Sequence, residues 1–172
     1  VGDNPASAAY VGMKDKMCAR LGLHSERINL PASTGQGELL AIINDLNFKR
    51  NIHGILVQSP LPAQISEDAI FAAIDPTKDV DGFHPLNVGK LALGDLTGFA
   101  PCTPAGVHEL LIRSGVKIEG AHVVVVGRSR IVGRPVSLIL SAKAKNANAT
   151  VTVCHSRSQN LAGICQIGRA HV

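Results

Sequence analysis

The fold of this chain is decided by VVVVGRSRIVGRP, which occupies residues 123–135. Four consecutive valines predict a buried β-strand, and Gly133 with Pro135 predicts that a helix starts soon after it. A strand that turns sharply into a helix presents backbone amides at the positive end of the helix dipole, where phosphate groups bind. The segment therefore predicts a nucleotide-binding unit of the Rossmann type, with Gly127 at the turn.

As a motif this loop departs from Gly-x-Gly-x-x-Gly, because Ser129 stands where the second glycine would be. A plain strand-to-helix turn that binds nothing is therefore an alternative for this segment taken alone. Basic residues favour the functional interpretation, since Arg128 and Arg130 lie in the loop and His155-Ser156-Arg157 follows the next predicted strand. An acidic residue just after this next strand would bind the ribose hydroxyls of NAD, whereas Ser and Arg at that position favour the ribose phosphate of NADP. The predicted cofactor is NADP, with Gly127, Arg128, Ser129, Ile131, Val132, Gly133, Pro135, His155, Ser156 and Arg157 as its contacts.

A second functional signal lies in the first predicted helix, where Asn4 can cap the N-terminus and Pro5 suits the first helical position. Ser7, Tyr10 and Lys14 follow one another at spacings of three and four residues, which places them on one helical face. A lysine held near a phenol and sheltered from water can exchange protons near neutral pH. The face is therefore a candidate acid–base site, and the alternative is a solvated Tyr and Lys on an amphipathic helix.

Composition limits the classes of function. With 172 residues, 45% of them hydrophobic, the chain is long enough for one substantial domain or two small ones. Its net charge of +4 is spread along the sequence, and 3% aromatic residues without Trp provide no stacking platform, so nucleic acid is not a predicted partner. No apolar run approaches the roughly 20 residues that span a bilayer, so no membrane segment is predicted. The histidines form no ligand pair and the four cysteines no Cys-x-x-Cys, so we predict no metal site and no disulfide framework.

Helix and strand patterns alternate along the chain and predict an α/β fold. An N-terminal αβ substrate domain, residues 1–102, is followed by a partial Rossmann-like dinucleotide-binding domain, residues 103–165, with the junction near two interrupting prolines, Pro101 and Pro104. The predicted helices cover 3–21, 36–46, 66–74 and 103–111, and a further helix starts at Gly133. The predicted strands cover 27–30, 54–57, 123–126 and 149–153. Residues 75–85 are predicted to form a turn-rich loop.

Both ends of the chain are unusual. Residues 166–172, QIGRAHV, break the preceding pattern and resemble the translation of a common sequencing adapter, so we expect them to be non-native. The chain begins at Val1 without a Met, as though cut at the end of a strand, so a targeting peptide could precede it. We therefore expect a fragment that is truncated at both ends.

Six segments together resemble the bifunctional methylenetetrahydrofolate dehydrogenase/cyclohydrolase family, the FolD-like enzymes, over residues 1–164. They are VGDNPAS (1–7) with Tyr10 and Lys14, GILVQSPLP (54–62), PTKDVDGF (76–83), PCTP (101–104), the loop at 127–135, and ATVTVCHS (149–156). The resemblance implies NADP-dependent oxidation of methylenetetrahydrofolate to methenyltetrahydrofolate and its hydrolysis to formyltetrahydrofolate, in one-carbon metabolism and purine biosynthesis. It also implies a homodimer, which we expect in the cytoplasm, an organelle being left open by the missing N-terminus.

The resemblance further implies roles for individual residues. Lys14 would be the acid/base of the cyclohydrolase step, Tyr10 would pack on the folate, and Gln58 would hydrogen-bond Lys14. Asp81 would pair with the amino edge of the pterin, whereas Asp79 is expected to be structural. The implied catalytic set is Lys14, Tyr10, Gln58 and Asp81, and the implied substrate contacts are Ser7, Tyr10, Gln58, Ser59, Pro60, Leu61 and Asp81. Without the resemblance, Gln58 would be interpreted as a polar strand end and the two aspartates as turn formers.

Three other interpretations remain open. A short-chain dehydrogenase also uses Tyr-x-x-x-Lys, but there the glycine-rich loop precedes that pair, whereas here Tyr10 precedes Gly127. The chain could instead be a catalytically silent folate- or nucleotide-binding protein, or an inert fragment. Because a half-Rossmann unit with about two strands cannot cover both faces of its sheet, we expect the 172 residues alone to be inactive and poorly folded, and the parent protein to be active.

Overall fold

The computed structural model describes residues 1–2, 4–95 and 97–166, the side chain of Ala6 excepted. The chain divides into two compact units, Val1–Lys78 and Asp79–Val172. Of the expected non-native tail, only Gln166 falls within the described residues. The elements of these ranges are α1 (Pro5–Arg20), α2 (Gln36–Phe48), α3 (Glu67–Ala73), α4 (Pro85–Leu93), α5 (Cys102–Arg113), β1 (His122–Val126), α6 (Gly133–Ser141), β2 (Thr150–Cys154) and α7 (Leu161–Cys165).

In the first unit, local sequence signals set the helix boundaries. The Asn4 side chain accepts a hydrogen bond from the Ser7 amide at 3.1 Å, which confirms the predicted cap of α1. The Ser66 hydroxyl accepts one from the Ala69 amide at 3.4 Å and caps α3 in the same way. Helices α2 and α3 pack on each other, and the buried apolar side chains of this unit are Leu39, Ile43, Ile55, Ile65, Ile70, Phe71 and Ile74.

The two strands predicted in the first unit, at 27–30 and 54–57, are wrong. The described backbone there is irregular, with a single bridge at Ile55, whose amide donates to the Lys78 carbonyl at 2.7 Å. At the other segment, the Gly2 amide donates to the Leu30 carbonyl at 2.9 Å. An apolar run becomes a strand only where a neighbouring segment completes the hydrogen-bond ladder, and hydrophobic periodicity cannot report that neighbour.

In the second unit, the predicted strand–helix–strand order is confirmed. Strands β1 and β2 pair in parallel, with Val123 opposite Val151, and α6 connects them. Helix α6 packs on both strands and on α5, around a buried cluster of Ile118, Val136, Leu140 and Ala149. The carboxyl ends of β1 and β2 therefore lie side by side, which is where parallel α/β sheets bind ligands.

Helix α4 is an element that the sequence analysis missed. Its first residue is Pro85, and the His84 ring accepts a hydrogen bond from the Leu86 amide at 3.0 Å. Proline at the first position and a side-chain cap before it are ordinary signals for a helix start. The preceding segment is so rich in turn formers that the sequence pattern predicts a loop as far as Pro85 and gives no separate helix there.

Candidate functional site

Lys14 in the first unit lies against two other predicted site residues. Its Nζ is 4.5 Å from the centroid of the Tyr10 ring, a distance typical of cation–π contacts. The same nitrogen donates a long hydrogen bond, 3.5 Å, to Gln58 Oε1. Tyr10 is 50% exposed, whereas Lys14 and Gln58 are half-buried. The ammonium thus lies at the edge of the protein, between an aromatic face and an amide oxygen.

The orientation of Gln58 follows from its second hydrogen bond. Gln58 Nε2 donates to the carbonyl oxygen of Ser59 at 2.8 Å, so Oε1 is the atom that faces Lys14. The segment that carries Gln58 is also tied to α3, because the Leu61 amide donates to Glu67 Oε1 at 3.3 Å. Gln58 can therefore accept from Lys14 and can hold its Nζ in one direction.

The remaining predicted folate contacts of the first unit lie close in sequence to this group. Ser7 is half-buried one turn before Tyr10 on α1. Ser59 follows Gln58, Pro60 is exposed and Leu61 is half-buried. The Ser59 hydroxyl is buried and has no hydrogen-bond partner among the described residues. Buried hydroxyls are usually satisfied, so a ligand or a water has a donor and acceptor to use here.

Asp81, the other predicted folate residue, belongs to the second unit. It is half-buried and lies in a turn between Asp79 and α4. Asp79 is 1% exposed and accepts hydrogen bonds from the amides of Phe83 and His84. Asp81 therefore lies in a loop whose backbone is held by hydrogen bonds to the buried Asp79 carboxylate.

In the predicted cofactor turn, two glycines approach closely. Gly127 has φ +133°, a conformation that side chains disfavour. A Cβ added to Gly133 would overlap the Gly127 carbonyl oxygen and would lie 2.9 Å from the Arg128 nitrogen. Glycine at 133 is thus a steric requirement for the sharp turn from β1 into α6.

The sequence predicts free backbone amides at the start of α6. In the structure, two of these amides already donate to a side chain of the turn. Ser129 Oγ accepts hydrogen bonds from the amides of Val132 and Gly133, at 3.1 and 3.3 Å. A glycine at 129 could not make these bonds, so the departure from the glycine motif has a structural consequence. A phosphate at this turn would compete with the Ser129 hydroxyl for the two amides, and it would also meet the exposed Arg128.

A groove of about 350 Å³ opens at this turn, lined by the valines of β1, by Gly127, Ser129 and Gly133, and by side chains of α5 and α6. Beside it, the Gly127 amide donates to the Cys154 carbonyl at 2.8 Å, which ties the turn to the end of β2. The loop after β2 is closed by the His155 amide donating to Ser158 Oγ at 2.9 Å, and Ser156 and Arg157 are exposed. The two predicted cofactor segments therefore lie on one sheet edge. The groove is mostly apolar, with the Ser129 hydroxyl as a polar group, and such a lining suits part of a bound dinucleotide.

A depression at the end of α2 does not offer comparable chemistry. Two of its lysines, Lys49 and Lys78, make structural contacts. Lys78 Nζ donates to the carbonyl oxygens of Leu46, Asn47 and Lys49, at 3.0, 2.6 and 2.9 Å. Asp45 raises the pKa of Lys49 through a hydrogen bond and its charge. These contacts cap the helix C-terminus.

Within residues 1–2, 4–95 and 97–166, no three His, Cys, Asp or Glu side chains are grouped as a metal would need. The four cysteines, Cys18, Cys102, Cys154 and Cys165, are free thiols. None of the helices in the described part of the chain has the length and apolar character to cross a membrane.

Two family models match the chain. "Tetrahydrofolate dehydrogenase/cyclohydrolase, catalytic domain" matches residues 1–81, and "Tetrahydrofolate dehydrogenase/cyclohydrolase, NAD(P)-binding domain" matches residues 101–170. The order of the two domains is the predicted one, substrate domain first.

Individual relatives agree with these matches. The chain is 60% identical over 161 residues to "Bifunctional protein FolD" of Dehalococcoides mccartyi strain CBDB1, covering 94% of this chain and 54% of that protein. Its structure is similar to bifunctional FolD methylenetetrahydrofolate dehydrogenase/cyclohydrolase from Campylobacter jejuni, with TM-score 0.88 and 50% identity over 92% of this chain and 55% of that one. It is also similar to the Trypanosoma brucei methylenetetrahydrofolate dehydrogenase-cyclohydrolase complexed with NADP and inhibitor, with TM-score 0.87 and 40% identity over 96% of this chain and 54% of that one. The chain thus spans about half the length of the curated relatives it matches.

Proposed function

This chain belongs to the tetrahydrofolate dehydrogenase/cyclohydrolase family, and we propose that the protein carries out both reactions named in the family description. In the first, methylenetetrahydrofolate loses a hydride to NADP and becomes the methenyl cation. In the second, water adds to the methenyl carbon and the ring opens to formyltetrahydrofolate. The observation that carries the proposal is the placement of Lys14 Nζ between the Tyr10 ring, at 4.5 Å, and Gln58 Oε1, at 3.5 Å.

For the hydrolysis, the site supplies orientation and proton transfer. Tyr10 is 50% exposed and offers aromatic surface on which the flat folate can lie, while the Lys14 ammonium lies over the ring, 4.5 Å from its centroid. In its neutral form Lys14 takes a proton from the water that adds to the methenyl carbon, and as the ammonium it returns that proton to the ring nitrogen whose bond to this carbon breaks. The hydroxyl proton of the adduct passes to solvent as its C–O bond becomes the formyl carbonyl. Gln58 keeps Nζ directed at the one-carbon unit, because its own amide nitrogen is held by Ser59. Asp81 would accept hydrogen bonds from the amino edge of the pterin.

For the oxidation, the second unit holds the dinucleotide, which when bound supplies the hydride acceptor. The close approach of Gly127 and Gly133 gives the phosphates access to backbone, and Arg128 adds a cation. The exposed Ser156 and Arg157 after β2 would bind the ribose 2′-phosphate. This is why we propose NADP rather than NAD.

The proposal is tested on the intact protein with methylenetetrahydrofolate and either NADP or NAD, following reduced cofactor and the methenyl intermediate in one cuvette. We expect cofactor reduction and decay of the methenyl signal, with NADP preferred. The change Arg157→Ala should raise the KM for NADP about tenfold and leave the slower NAD reaction unchanged, since NAD lacks the phosphate. Binding of folate without turnover would identify a silent binding protein and overturn the proposal.

We also propose that the protein is a homodimer of the cytoplasm. The free thiols suit a reducing compartment, and the dimer is the assembly that the resemblance implies. Light scattering on the purified intact protein checks the dimer, and cell fractionation checks the compartment.

A further inference from the structure

The loop that carries Asp81 is organised around a buried carboxylate. Asp79 is 1% exposed, and its Oδ1 accepts a hydrogen bond from the Phe83 amide at 3.2 Å. Its Oδ2 accepts two more, from the His84 amide and from Asn87 Nδ2, both at 2.8 Å. A carboxylate can be buried only when its oxygens are satisfied, and here the donors come from both the loop and helix α4. Asp79 therefore fixes the far end of the loop in which Asp81 lies.

Asn87 extends this arrangement to a second segment. It is 2% exposed, and its Oδ1 accepts a hydrogen bond from the Phe99 amide at 3.3 Å. Asn87 therefore links the buried Asp79 carboxylate to Phe99, in the segment that precedes α5. Asn87 lies outside residues 76–83, the nearest of the segments by which the sequence resembles the family.

Gly82 presses the same loop against the same segment. Its φ is +67°, and a Cβ there would lie 2.6 Å from the Phe99 carbonyl oxygen and 2.9 Å from Pro101 N. The Cys102 thiol adds a contact to the Val80 carbonyl oxygen at 3.6 Å. The residues on both sides of Asp81 are thus held to residues 99–102, and the backbone between them has little freedom.

We propose that Asp79, Gly82 and Asn87 form a positioning bracket, which fixes the Asp81 carboxylate in its folate-binding direction before substrate arrives. The proposal rests on the proposed function, in which Asp81 binds the pterin. None of the three bracket residues contacts the substrate in this account; they act through Asp81. A prearranged carboxylate binds the substrate more tightly, because the loop is already ordered and loses little conformational entropy on binding.

A cycle of variants on the intact protein tests the bracket. Asn87→Ala, Asp81→Ala and the double variant are compared for the KM of methylenetetrahydrofolate, the KM of NADP, kcat and Tm. We expect Asn87→Ala to raise the folate KM about tenfold, since it removes a hydrogen bond to a buried charge. In the Asp81→Ala background, Asn87→Ala should raise the folate KM no further. The KM of NADP should stay constant in all variants.

Two further variants separate positioning from loss of stability. Asn87→Ser keeps a small polar group but is too short to bridge the Asp79 carboxylate and the Phe99 amide, and it should raise the folate KM even if Asn87→Ala does not fold. Ile118→Ala opens a cavity in the β1–α6 core, so it should lower Tm while leaving the folate KM unchanged.

The outcomes are distinct. An equal rise of the folate KM in both Asp81 backgrounds, or no rise with Asn87→Ser and Asn87→Ala, overturns the bracket and leaves the proposed function intact. No effect of Asp81→Ala on the folate KM removes the role of Asp81 and the bracket with it. Absence of turnover in the wild type overturns the proposed function itself.

Discussion

The Lys14 site and the Gly127–Gly133 turn are built in opposite ways. Lys14 is held through side chains, by a 3.5 Å hydrogen bond to Gln58 and the face of a half-exposed tyrosine. The turn is held through backbone, because Gly133 packs directly on the Gly127 carbonyl at the end of β1. Damage to the two sites should therefore appear in different measurements. Changes to the packing of Gly127 on Gly133 should lower stability and cofactor binding together, whereas changes at Lys14 should lower activity alone.

The largest effect on stability should come from Gly133→Ala. The new Cβ would overlap the Gly127 carbonyl oxygen, so the turn must open, at a cost of about 3 kcal/mol in the free energy of unfolding. The KM for NADP should rise in the same variant. Urea unfolding and cofactor titration check both. The control is Gly106→Ala in α5, where a Cβ would meet open space. Because alanine favours a helix more than glycine does, this variant should raise the free energy of unfolding by up to about 1 kcal/mol.

Gln58→Leu should produce the opposite pattern. Loss of the oxygen that directs Lys14 Nζ should lower methenyl hydrolysis about a hundredfold, with a smaller effect on Tm. Gln36→Leu is the matched control, because Gln36 Oε1 accepts from the Ser66 amide and serves the fold. That variant should lower Tm and leave hydrolysis unchanged. If the two variants behaved alike, the contrast between the two kinds of site would be lost.

Ser129→Ala tests what the Ser129 hydroxyl contributes to the turn. It removes the acceptor for the Val132 and Gly133 amides and should lower the free energy of unfolding by about 1 kcal/mol. The freed amides then become available to a phosphate, so the KM for NADP should not rise in proportion. Ser137→Ala, within α6, removes only a bond to the Arg134 carbonyl and should be close to neutral. Calorimetry with and without NADP distinguishes these outcomes.

The smallest effect should be a gain. Thr34 is 2% exposed, and its hydroxyl has no hydrogen-bond partner among the described residues. Thr34→Val removes this buried polar atom at almost constant shape and should raise stability by up to about 1 kcal/mol without altering either activity. Thr152→Val should give no such gain, since the Thr152 hydroxyl is bonded to the His122 ring at 2.8 Å. Thermal unfolding of both variants decides the matter.

Features governed by near neighbours in sequence were predictable. The cap at Asn4, the helix start at Gly133 and the parallel pair of valine-rich strands all follow from local patterns, and the structure has them. The spacing of Tyr10 and Lys14 likewise predicts that they share a helical face, and their 4.5 Å contact follows from it.

Features governed by distant partners were not predictable from the residues alone. Residues 27–30 and 54–57 have the apolar character of strands, yet their pairing depends on segments far away in sequence. The bond of Asn87 to Asp79 crosses from an unpredicted helix, so no motif marked that residue. At Ser129, the expected free amides depended on where one hydroxyl points, which sequence does not specify.

The role of Lys14 as the proton-transfer group in methenyl hydrolysis is tested against a second lysine, Lys16. Lys14→Met and Lys16→Met, on the same helix, are assayed in the intact protein for cofactor reduction and for methenyl decay. We expect Lys14→Met to lose hydrolysis by about a hundredfold or more while Tm is preserved, and Lys16→Met, whose lysine is exposed, to retain both activities. Hydrolysis at the wild-type rate in Lys14→Met, or an equal loss in Lys16→Met, would show that Lys14 is not the proton-transfer group.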